Sequence, residues 1–124
     1  MAETLLYVDD NELRTQAIAA RLRKFGYEVF TACDGVHALP IFSARKIDIA
    51  VVDYYMPGMS GDLLAMEMKN RKPWVPIIIF SGSFTLAEMV IAFVDGFVST
   101  SDDPEALINK IAQLLPSRQA ARAS

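Results

Sequence analysis

The sequence predicts an α/β fold, a parallel β-sheet with helices packed on both faces. Three observations carry this expectation. Five short apolar runs rich in β-branched and aromatic residues recur along the chain, and each is followed by a segment of helix formers. Runs such as Ile49-Ala50-Val51-Val52 and Ile77-Ile78-Ile79-Phe80 are apolar at consecutive positions, the pattern of strands covered on both sides.

The elements alternate in order. The first strand is expected at Leu5 to Val8 and the first helix at Glu12 to Phe25, with Gly26 able to end it. A second strand, Tyr27 to Ala32, leads through Asp34-Gly35 into a helix over Val36 to Ala44. Pro40 lies inside that helix, where a missing N–H costs about 3 kcal/mol, so the helix is expected to be short or bent. A third strand, Ile47 to Val52, precedes a helix at Asp62 to Lys72, and a fourth, Ile77 to Phe80, precedes a nearly uncharged helix at Leu86 to Val94. The fifth strand is Gly96 to Ser99, and Pro104 suits the first turn of a last helix ending at Leu115. No repeat or second domain is evident: residues 1–116 form one domain, and 117–124 are a tail or the start of a linker.

Composition narrows the function. The 124 residues, 52% of them hydrophobic, suffice for one core. A net charge of −3 argues against a nucleic-acid surface, which needs clustered Lys and Arg. Cys33 has no second cysteine to pair with, no export signal opens the chain and no apolar run is long enough to span a membrane. A cytoplasmic location is expected, with no membrane contact.

In such a sheet, function collects where the strands end. Asp9 and Asp10 follow the first expected strand, Asp53 the third, Ser81 the fourth, and Thr100 lies just past the fifth. Three carboxylates on one rim repel one another and call for a cation, and an all-oxygen donor set favours a hard ion, Mg²⁺ above all. His37 lacks sequence partners for a catalytic triad or a metal site and is read as a surface residue. Gly58-Met59-Ser60-Gly61 fits neither a P-loop nor a nucleophile elbow and is read as a turn. Trp74 is read as a partly covered loop residue.

These residues resemble a known pattern. Val8-Asp9-Asp10-Asn11-Glu12 is similar to the acidic pair of response-regulator receiver domains, and Asp53 to Gly61 resembles their phosphoacceptor loop, D-x-x-M-P-x-M-x-G. Ile78 to Gly82 and Gly96 to Ser99 resemble the strands bearing the family's Ser/Thr and its switch aromatic, so the likeness covers almost the whole chain. It implies a flavodoxin-like, doubly wound five-stranded sheet in the order 2-1-3-4-5 with five helices. It further implies that Asp53 is the phosphoacceptor, that Asp10, Asp53 and the Tyr55 backbone carbonyl hold Mg²⁺ with Asp9 helping through water, and that Ser81 binds a phosphoryl oxygen. Ser81 and Phe97 would be the switch pair. The implied donor is a histidine kinase or phosphotransfer protein, and the only catalysis expected is self-catalysed phosphorylation and dephosphorylation.

The likeness breaks at one functional point. Thr100-Ser101 stands where the family usually has Lys-Pro, so a point charge expected to face the phosphoryl group is absent, and a hydroxyl forms a bond roughly half as strong. The segment from Ser81 to Phe97 is also short for the family, and Ile91 and Phe93 in the apolar fourth helix suggest a homodimer or partner surface, with deeper burial in the chain's own core as the alternative. Two functions follow: a phosphorelay receiver, or a degenerate receiver serving as a phosphorylation-independent interaction or dimerisation module. A phosphatase with an aspartate nucleophile fits less well, because Tyr55 stands where a second acidic residue would be needed.

Overall fold

The computed structural model describes residues 2–82, 94–101 and 103–115. Five parallel strands, β1 (Thr4–Val8), β2 (Glu28–Ala32), β3 (Ile49–Asp53), β4 (Ile77–Ser81) and β5 (Gly96–Ser99), lie in the order β2-β1-β3-β4-β5. The expected order is borne out. Four helices stand among the described residues: α1 (Glu12–Lys24), α2 (Gly35–Ala44), α3 (Gly61–Arg71) and α4 (Pro104–Leu114). The helix expected at Leu86 to Val94, with Ile91 and Phe93, falls outside the described residues except for Val94, as does the tail from residue 116.

Each strand sends alternate side chains to opposite faces. On one face Leu6, Val8, Ala50, Val52, Ile77 and Ile79 meet Ala38 and Phe42 of α2 and Leu64, Ala65 and Met68 of α3. On the other, Leu5, Tyr7, Val51, Ile78 and Phe80 meet Ala19 and Leu22 of α1 and Leu107, Ile108 and Ile111 of α4. Two dry layers, each needing apolar residues at alternate positions, produce the consecutive apolar runs seen in the sequence.

Local chemistry sets the helix starts. Asn11 Oδ1 accepts from the Arg14 N–H, Asp34 Oδ1 from the His37 N–H and Asp103 Oδ1 from the Glu105 N–H, each at 2.9 Å. Helix α2 runs through Pro40 over its full ten residues, so the expected shortening does not occur; Pro40 is exposed, which puts the interrupted backbone on the solvent side, where water can satisfy the freed carbonyl. Trp74 is 74% exposed, more open than its place between two prolines suggested.

The lysines with defined contacts lie away from the carboxyl ends of the strands. Lys69 pairs with Asp95 at 2.6 Å and donates to the Val75 carbonyl, Lys72 donates to the carbonyls of Phe42 and Arg45, and the Lys110 stem packs beside Gly96, where β5 begins. Among the described residues no helix is long and apolar enough to cross a membrane.

Candidate functional site

The parallel arrangement gathers the ends of β1, β3, β4 and β5 on one rim. Register pairs Asp53 with Phe80 and Ser81 with Ser99, and the Thr100 N–H donates to the Ser81 carbonyl at 3.1 Å. An open pocket of ≈ 470 Å³ results, lined by Asp10, Arg14, Asp53, Tyr55, Ser81 and Thr100 among others. Asp9, Asp10 and Asp53 each bring a carboxylate oxygen within 4.8 Å of the other two. The predicted site residues therefore meet, while Phe97 lies half-buried against the core on the α2/α3 side.

The phosphoacceptor-like loop is held from beneath. The Gly61 N–H donates to the Tyr54 carbonyl at 2.7 Å, and a Cβ at Gly61 would fall 2.3 Å from the Asp53 carbonyl oxygen and 2.7 Å from Tyr54 Cα. Only glycine lets α3 start this close to the end of β3. Gly58, at φ +83°, makes the turn between them.

The three carboxylates differ. Asp10 is exposed. Asp9 is 1% exposed and accepts four hydrogen bonds: Oδ2 from Arg14 Nε at 2.6 Å and the Tyr7 hydroxyl at 2.8 Å, Oδ1 from the Asn11 N–H at 2.9 Å and Arg14 Nη2 at 3.0 Å. Burial by itself would raise its pKa, but the donors, Arg14 foremost, hold it below the ordinary carboxylate value. Asp53 is 6% exposed, and among the described residues it forms an ion pair with Arg14 Nη2 at 3.4 Å. Burial first, then repulsion from Asp9 and Asp10, outweigh Arg14 and the Tyr55 N–H bond and push its pKa up to about 7.

A group whose ionised form is this strained is a ready site for a hard cation. The donor set fits Mg²⁺: Asp10 and Asp53 could ligate it with the Tyr55 carbonyl, while both oxygens of Asp9 are already engaged. Arg14 is the residue that sequence reasoning missed. It stands in the first turn of α1, where side chains slant toward the helix N-terminus, so a long one reaches back over the end of β1. The sequence signal was an arginine on the third helical position after an Asn cap, five residues beyond a buried Asp.

A second grouping was also missed. His37, read from sequence as without metal-site partners, has its Nδ1 2.7 Å from Asp34 Oδ1 and 3.9 Å from Cys33 Sγ, because the α2 cap folds residues 33–37 together. All three are at least partly exposed.

The family model described as response regulator receiver domain matches residues 5–113. A probable transcriptional regulator ycf27 of Cyanidium caldarium is 35% identical over 99 residues, covering 80% of this chain and 38% of its own length. The chain thus spans well under half of that relative. Among solved structures, chemotaxis protein CheY4 of Vibrio cholerae superposes with a TM-score of 0.86 at 26% identity, covering 93% of this chain and 100% of the other. The response regulator protein TrrA of Thermotoga maritima, solved in complex with Mg(2+)-BeF, gives 0.86 at 29% identity over 91% of this chain and 99% of the other.

Proposed function

Because the chain belongs to the response regulator receiver domain family, we propose that Asp53 accepts a phosphoryl group from the phosphohistidine of a two-component kinase or phosphotransfer protein, at a pocket that takes Mg²⁺. The observation that carries this reading is the buried Asp53 carboxyl at the end of β3, with two further carboxylates close enough to share one divalent ion. The Mg²⁺–BeF complex of TrrA supports the choice of ion.

An Asp53 oxygen attacks phosphorus in line, the P–N bond to the donor imidazole breaks, and the imidazole leaves as the neutral base after taking up a proton. Held by Asp10, Asp53 and the Tyr55 carbonyl, Mg²⁺ would neutralise charge on the carboxylates and the transferring group. The Ser81 hydroxyl donates to a phosphoryl oxygen, and its movement lets Phe97 repack, changing the surface around β5 and α4. From the sequence, the apolar segment with Ile91 and Phe93 is the association face, for a second copy or a downstream partner.

Thr100 in place of the usual lysine favours a second reading, a receiver that binds partners without being phosphorylated. Incubation with Mg²⁺ and acetyl phosphate, followed by intact mass, separates the two. The phosphoacceptor reading expects one added phosphoryl group in wild type and none in Asp53→Ala; an unlabelled wild type leaves the interaction module.

A further inference from the structure

The pocket already contains a cation of its own. Arg14 reaches in from α1, not from the end of β5, and its fork grips both oxygens of Asp9 while Nη2 leans toward Asp53. Its side chain is about one-third exposed and lines the same pocket as Asp53, Ser81 and Thr100. Three carboxylates with one guanidinium leave a formal charge of −2, the balance a lysine at position 100 would also have left. We propose that Arg14 is the fixed positive charge of this site: it opposes divalent-metal binding in the resting pocket and pairs with the phosphoryl group once Asp53 carries it. The inference rests on the phosphoacceptor reading above and names the residue that fills the electrostatic gap left by Thr100.

The geometry supports both halves. A guanidinium fork matches phosphate oxygens as it matches carboxylate, and the 3.4 Å contact is slack enough for Nη2 to turn from Asp53 Oδ2 to an oxygen added beside it. The same charge stands 3.4 Å from an Asp53 oxygen, on the carboxylate that would help hold a cation, and like charges drawn to one carboxylate oppose each other. Arg14 is held in place by its bonds to Asp9, which is itself fixed by Tyr7 and Asn11. Burial of Asp9 in turn keeps this pair strong, and the guanidinium stays charged throughout.

A mere structural clamp on Asp9 predicts that removing Arg14 weakens every ligand together. The proposal predicts opposite signs. In Arg14→Met, Mg²⁺ alone should bind about tenfold more tightly by calorimetry, because one positive charge has left the pocket. Beryllofluoride with Mg²⁺, and acetyl-phosphate labelling at Asp53, should weaken about tenfold or more. Adding Thr100→Lys to Arg14→Met should restore labelling by supplying the charge from β5 instead, a rescue that a clamp would not give. Should Arg14→Met fail to fold, two measurements stand in its place. Arg14→Lys, which keeps the charge and gives up the fork, should still label at Asp53, though more slowly than wild type, and the Arg14 Nε–H resonance of ¹⁵N-labelled wild type should shift on adding beryllofluoride with Mg²⁺. Parallel weakening of metal and beryllofluoride, absence of rescue, loss of labelling in Arg14→Lys, or an unmoved Nε–H would each overturn the assignment. Wild type that does not label refutes the phosphoacceptor reading and this one with it; wild type that labels, with Arg14→Met labelling equally, refutes this one alone.

Discussion

Replacing Asp53 by asparagine in metal-free buffer should stabilise the protein, and by an amount that depends on pH. Asp53 holds its proton up to about pH 7 in the folded protein, whereas an unfolded Asp ionises near 4. Between those values the folded state binds more protons than the unfolded one, so this group's contribution is fully present below about pH 4, is lost as pH rises and levels off above about 7. Linkage over the whole interval corresponds to about 4 kcal/mol at the limit, and relaxation around the ionised carboxylate reduces the expected loss to about 2 kcal/mol. Asp9 and Asp34, whose pKa values are lowered, work in the opposite direction, so the difference between wild type and Asp53→Asn is the quantity to follow. Urea unfolding with chelator present should find the two proteins nearly equal at about pH 4 and the variant more stable by about 2 kcal/mol at about pH 8. Saturating Mg²⁺ should close most of that gap. A variant less stable than wild type at about pH 8, or a difference that does not change with pH, would refute the claim that Asp53 is ionised at a cost.

Other perturbations follow from the same site. Gly61→Ala places a methyl carbon 2.3 Å from the Asp53 carbonyl oxygen, and because backbone must move, thermal unfolding should report a loss of about 3 kcal/mol. Asp10→Ala, an exposed change, should leave the melting temperature nearly unaltered while weakening Mg²⁺ about tenfold or more in calorimetry; unchanged affinity would remove Asp10 from the ligand set. In sedimentation, Ile91→Glu with Phe93→Ser should abolish the association, with a second copy or with a partner, that this apolar segment mediates, whereas a wild type that is monomeric and binds no partner would return those residues to the core.

Much of the fold was legible because a parallel sheet buried on both faces demands the apolar runs that the sequence displays, and because Asp34 and Pro104 announce the starts of α2 and α4 by residue type. The rim followed from topology: once the strands are parallel, residues just past Val8, Val52 and Phe80 must meet. Arg14 was not legible in that way. The family pattern places its cation just past a strand end, whereas the cation here comes from a helix and reaches its target through side-chain direction, a property of the helix start and not of spacing along a strand. Cys33, Asp34 and His37 escaped for a related reason, since the turn that gathers them forms only when Asp34 caps α2.

The central claim, that Asp53 is the phosphoacceptor, is tested most directly by trapping the bond it would form. Wild type treated with acetyl phosphate and Mg²⁺, reduced with borohydride and digested, should yield the peptide spanning Ile49 to Met56 with homoserine at position 53 and nowhere else, and omission of Mg²⁺ should abolish it. Homoserine at Asp9 or Asp10, or unmodified aspartate at all three positions, would contradict the account.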